Sequence, residues 1–266
     1  MRHAKPDCIN SAYTAGNGSW LSEKTMDTTY CRTGIGSVAS DHDLLVASFR
    51  SVGKTFGFED VEARFTPFKE FKSCWYRSGK SVTFEISDYL KGADQEVLVD
   101  FAQSLFSRVA LKGEREIYTD RMRSWLESPA FLRRNQPLYL KRSRNLSLTH
   151  EGEVYDLQDA YLKLKDQGLV HDCRDAVFNW TKRGNRLRVG YCSVLMKVVA
   201  ISSIMDSEKV PDFVHEYVLY HEILHLEEGL KSGNRHHTDE FREAERQHPR
   251  WAESEAWLKR LAFKRP

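Results

Sequence analysis

The sequence predicts an α+β fold built from two tandem units. A helix, three short strand-like segments and a second helix occur in that order twice along the chain. The two halves also superpose with repeated identities, and 41% hydrophobic residues in a chain of 266 are enough for more than one packed core.

Residues 1–40 are rich in Ser, Thr and Gly, with Asn17-Gly18 and Gly34-Ile35-Gly36-Ser37 as breaks, and sustain no apolar period. They read as a flexible N-terminal tail with Trp20, Leu21 and Tyr30 as its only anchors. The first unit spans 41–127. Its first helix starts behind a Ser40 or Asp41 cap, buries Leu44, Leu45, Ala47, Phe49 and Val52, and is followed by Gly53 and Gly57. Strands are expected at 61–65, 72–77 and 82–86. A helix over 95–109 puts Val97, Leu98, Phe101, Leu105 and Val109 on or near one face.

Residues 128–153 read as a basic connector. From Ser128 to His150 there is no acidic residue, but Arg133, Arg134, Lys141, Arg142 and Arg144 are present. Such a run is either a solvated linker or a contact for nucleic acid or an acidic partner. The second unit spans 154–266. It has a helix over 154–169, strands at 176–180, 186–192 and 196–201, and an amphipathic helix from about 212 to 227. A last amphipathic helix, 251–261, carries Trp251 and Trp257 as packing residues.

The two units align at an offset of 115, set by Gly53 on Gly168. Asp60, Thr66, Tyr76, Ser78, Ile86 and Ser87 then fall on Asp175, Thr181, Tyr191, Ser193, Ile201 and Ser202. After a short insertion, residues 101–107 lie over 219–225, and Tyr118-Thr119-Asp120 lies over His237-Thr238-Asp239. A duplication accounts for this, with the second copy alone carrying a His-rich constellation.

That constellation is His221-Glu222-Ile223-Leu224-His225. Histidines four apart on a helix share a face and can hold one metal ion. Glu222 lies round from them, placed to take a proton from a metal-bound water. Gly229 ends the helix one turn later, so the chain can turn back with a third ligand. Candidates are His236, His237, Asp239, Glu240, Glu243 and His248.

The run from His221 to Phe241, H-E-I-L-H followed by a glycine-containing turn and H-T-D-E-F, resembles the SprT-like and YgjP-like zinc metallopeptidases of the zincin type. The resemblance covers 154–260, and its specific part is 211–251. Those families place the third histidine four residues before an aromatic residue, a spacing that His237 has with Phe241 and His236 does not. The resemblance therefore implies His221, His225 and His237 as zinc ligands and Glu222 as catalytic base. It also implies a zinc metallopeptidase acting on a protein or peptide. The tandem alignment makes the first unit a degenerate zincin-like copy without metal ligands, unless it descends from a different fold and never bound metal. In that first copy Gln103, Ser104 and Ser107 replace the two histidines and the glutamate. The strand at 196–201 is expected to receive the substrate backbone as the edge strand of a zincin does. Arg235, His236 and Tyr217 are nominees for stabilising the oxyanion, and Asp239 and Glu243 for orienting the imidazoles unless they are solvated or cap a helix.

A non-catalytic, zinc-stabilised binding module, nucleic-acid associated through the connector, is the alternative. The near-balance of 40 Lys plus Arg against 38 Asp plus Glu argues against a globally cationic nucleic-acid binder. The chain shows no apolar run long enough for a bilayer and no apolar segment behind its N-terminus. Five scattered cysteines without a C-x-x-C pair fit free thiols. The expectation is a cytoplasmic protein with no membrane partner.

Overall fold

The computed structural model describes residues 7–10, 40–111, 118–230 and 237–263. It is a mixed α+β structure whose contacts divide it into two compact units. Among the described residues, 7–9, 40–68 and 72–111 form the first unit, and 10, 69–71, 118–230 and 237–263 the second.

In the first unit, β1 (Asp7–Asn10) lies within the stretch expected to be a loose tail. The rest of that stretch, except Ser40, is outside the described residues. Helix α1 (Asp41–Thr55) opens on a reciprocal capping box between Ser40 and Asp43. Strands β2 (Asp60–Thr66), β3 (Lys72–Ser78) and β4 (Ser81–Ser87) follow, then α2 (Gln95–Leu111). The sheet order is β1-β3-β4-β2, with β2 parallel and β3 antiparallel to β4. Phe49, Phe84 and Phe106 interlock at the centre, with Phe84 and Phe106 edge to face at 4.9 Å. Cys74 is disulfide-bonded, so the expectation of five free thiols fails there, while Cys173 and Cys192 are free.

The second unit begins with α3 (Asp120–Leu126), which the sequence placed with the first, and α4 (Pro129–Arg142). The basic connector is thus largely a helix. Ser128 caps it, Pro129 sits where a missing N–H costs nothing, and Tyr139 is fully buried. Gln136 donates to the carbonyls of Asp175 and Met196, both at 2.9 Å. Next come α5 (Leu157–Asp166), capped by Asp156, then β5 (Val177–Trp180), β6 (Gly190–Ser193), β7 (Val198–Ile201) and α6 (Asp212–Glu228). Helices α7 (Asp239–Glu245) and α8 (Trp251–Phe263) close the unit, with Trp251 and Trp257 packed on the core.

The sheet order β5-β7-β6, with β5 parallel and β6 antiparallel to β7, repeats that of β2, β4 and β3. Val61 faces Val82 and Val177 faces Val198, the same separation in each unit. The third strands are displaced relative to the sequence alignment. Trp75 faces Phe84, but the residue facing Val199 is Cys192, so β3 and β6 correspond at an offset of 117 rather than 115. Tyr76 and Tyr191 are therefore not equivalent. The cause is the hairpin, which turns through Gly79-Lys80 in one unit and through 194–197 in the other.

Two further expectations are corrected. Strand β7 is the central strand, buried throughout, so it cannot take up an added strand; that edge belongs to β6. Helix α6 is not amphipathic, because burial runs round its whole circumference from Val214 to Leu224, as for a helix in the centre of a core. No helix among the described residues is long and apolar enough to cross a membrane.

Candidate metal centre

Helix α6 places His221 and His225 one turn apart, with ring centroids 4.9 Å from each other. Gly229 ends the helix at φ 68°, a backbone conformation that costs a residue without a Cβ little. The chain returns at His237, immediately before Thr238, whose hydroxyl accepts the Phe241 amide and caps α7. Thr119 caps α3 in the same way, putting Tyr118 at the position that His237 holds.

Ligand atoms of His221, His225 and His237 all lie within 4.8 Å of one another, an arrangement that could hold a metal ion. His225 Nε2 and His237 Nε2 are 3.3 Å apart. Two imidazole nitrogens bound tetrahedrally to zinc at about 2.0–2.1 Å would stand roughly 3.3–3.4 Å apart, the separation of this pair. Phe241 lies under all three rings: it stacks on His225 at 4.5 Å and is 4.9 Å from His237 and 5.2 Å from His221.

Glu245, on α7, orients the first imidazole. Its Oε1 is 2.7 Å from His221 Nδ1, leaving Nε2 as the free donor, and it also accepts from the Tyr217 hydroxyl at 3.2 Å. Burial opposes protonation of His221. The hydrogen bond that His221 donates to Glu245 and the nearby charges of Glu222 and Glu245 outweigh it, and the pKa is raised. Burial, and then the charge of His221, lower that of His237.

Glu222 is 6% exposed, and burial pushes its pKa up to about 7 against the opposing charges of His221 and Arg188. Strand β6 makes room for it: a Cβ on Gly190 would come within 2.5 Å of Glu222 Oε1. Both glutamate and His221 line a cleft of about 230 Å3, walled on one side by Leu187, Arg188 and Val189 and on the other by Tyr217 and Leu258.

The remaining sequence candidates lie elsewhere. The Asp239 side chain is solvated, 3.8 Å from Arg242, and Glu245 takes the orienting role expected of Asp239 and Glu243. The Tyr217 hydroxyl is already engaged by Glu245 and Glu255 and is not a free oxyanion donor. His248 is buried against Tyr217 and Tyr220. Arg235 and His236 are outside the described residues. Glu245 was missed, yet it lies four residues after Phe241 on α7, on a helical face that Glu243 does not share, and Phe241 lies four after His237.

A second group, His150, Glu151 and Asp156, also has donors close together. Asp156 already caps α5 through the amides of Gln158 and Asp159, and His150 Nδ1 sits 3.0 Å from both its oxygens. A helix cap hydrogen-bonded to His150 accounts for it.

Comparison with protein-family models, with curated proteins and with solved structures finds no match.

Proposed function

We propose that the second unit is a zinc-dependent metallopeptidase with His221, His225 and His237 as metal ligands and Glu222 as general base. The observation that carries this reading is the convergence of three imidazoles, the first of which shares a cleft with the buried carboxylate of Glu222. Three neutral nitrogens suit zinc and leave a position open, where the ion would polarise a carbonyl and lower the pKa of water.

The chain's own groups account for the proton movements. Glu222 is poised near neutrality by burial. It accepts a proton from the attacking water as the water oxygen bonds to the peptide carbon, and returns it to the nitrogen as the C–N bond breaks. Glu245 holds the His221 ring, and Phe241 keeps the three imidazoles at a fixed spacing. The substrate backbone pairs with the outer edge of β6, whose first residue is Gly190 beside Glu222.

Metal analysis of protein purified without added zinc, together with a proteolysis assay of wild type and Glu222→Gln, tests the proposal. Expected are near-stoichiometric zinc in both and hydrolysis only in wild type. Bound zinc in both with no hydrolysis in either would favour a non-catalytic module braced by metal.

A further inference from the structure

The loop between β5 and β6 forms part of the cleft wall and has no role in the chemistry above. Residues 181–189 hold Lys182, Arg183, Arg186 and Arg188 and no acidic residue. The loop is firmly pinned. The amides of Lys182 and Arg183 donate to the carbonyl and the Oδ1 of Asn145, at 2.7 and 3.0 Å. Gly184 lies so close to Ile204 that a Cβ would come within 2.2 Å of Ile204 Cγ2. The Asn185 amide donates to Ser202 Oγ at 2.6 Å, and Asn185 Oδ1 accepts the amides of Leu187 and Arg188 at 2.9 and 3.1 Å.

On this fixed backbone Lys182, Arg183 and Arg186 are exposed, and Leu187 is 86% exposed at the apex. Arg188 turns into the cleft, its guanidinium 4.8 Å over the Tyr191 ring. Among the described residues the side chains of Lys182, Arg183 and Arg188 make no hydrogen bond or ion pair. Glu255, across the cleft, is taken up by Tyr217 and Lys259. Glu222, in the same cleft, is near enough to feel its charge but makes no hydrogen bond or ion pair with it. A half-buried guanidinium held on an aromatic face with its N–H donors uncommitted is a receptor for a carboxylate.

We propose that this loop selects the polypeptide that enters the cleft, favouring segments with Asp or Glu beside the scissile bond. Arg188 pairs with the carboxylate nearest the bond, and Lys182 and Arg183 with acidic residues further along. The proposal rests on the peptidase reading for its scissile bond, but its binding half does not. A peptide suits the site better than a nucleic acid. A cleft of about 230 Å3 admits a side chain but not a duplex, and an apolar residue stands at the apex among the cations.

The test uses the full-length Glu222→Gln protein and fluorescent peptides that carry Asp and Glu, or Asn and Gln at the same positions. Anisotropy should show the acidic peptide binding about 10-fold or more tightly, as expected for a charge-assisted pair, with the gap shrinking at high salt. Adding Arg188→Gln should narrow the gap between the two peptides, and adding Lys182→Gln and Arg183→Gln as well should close it. Circular dichroism of both variants checks that they fold. Equal binding of acidic and amide peptides by Glu222→Gln would overturn the proposal. So would tighter binding of an oligonucleotide that displaces the acidic peptide and depends on the same loop. Wild type that cleaves peptides without regard to acidic residues refutes this inference and leaves the peptidase reading intact. Acid-selective binding with no hydrolysis by wild type does the reverse.

Discussion

Glu245 Oε1 lies 2.7 Å from His221 Nδ1, joining α7 to α6 beneath the candidate metal centre. The same oxygen accepts from the Tyr217 hydroxyl, so its lone pairs are committed and the ring cannot turn without breaking a bond. A carboxylate in this position fixes which nitrogen of His221 is free to bind a cation.

Glu245→Gln should therefore weaken zinc binding by about 10- to 100-fold, the usual effect of losing such a partner. Competition against a chromophoric chelator measures it. Glu243→Gln, two residues away and on another face of α7, should leave the affinity unchanged.

Gly190 gives Glu222 its space. In Gly190→Ala the new Cβ would stand 2.5 Å from Glu222 Oε1 and 3.0 Å from Val218 Cγ1, so the carboxylate must swing away. Misplacement of a reacting group by about 1 Å costs on the order of 100-fold in rate. Zinc content should stay at the wild-type level while peptide hydrolysis falls by that order.

Phe241 is buried and touches all three imidazoles. Phe241→Ala leaves a cavity under them and should cost about 3–5 kcal/mol of stability. Urea unfolding of the metal-free protein reads that loss, and Phe241→Leu should lose less.

His215 and His248 are buried, and burial lowers each pKa from 6.5 to about 4. The unfolded chain therefore takes up protons that the folded chain refuses. The stability these rings contribute is fully present above pH 6.5 and is lost as the pH falls toward 4, by about 1.4 kcal/mol per pH unit for each. His215 stacks on Tyr155 at 3.9 Å, and among the described residues its Nδ1 has no hydrogen-bond partner. In the presence of chelator, His215→Phe should keep the stacking and make the unfolding midpoint less sensitive to pH between 6.5 and 4.

What the sequence disclosed about this site was local. The histidines of α6 are one turn apart, Gly229 stops the helix, and the spacing of His237 to Phe241 is the register of a short helix behind a Thr238 cap. The α-β-β-β-α order also came through, because each segment carries its own periodicity. Contacts that depend on how distant segments turn toward one another did not. The central place of β7 is a matter of pairing, although the uniformly apolar Val198-Val199-Ala200-Ile201 is what a strand covered on both faces looks like. The closeness of Gly190 to Glu222 and the place of Arg188 in the cleft lining are set only once β6 lies against α6. Trp75 and Cys192 take equivalent places that residue identity conceals, since two extra residues in one hairpin shift the strand without changing its pattern.

The most direct measurement is anomalous diffraction at the zinc edge from crystals of the zinc-loaded protein. One peak is predicted about 2.0–2.1 Å from Nε2 of His221, His225 and His237, with its fourth position free of protein and facing Glu222. No peak among these imidazoles, or a protein side chain filling that fourth position, would contradict it.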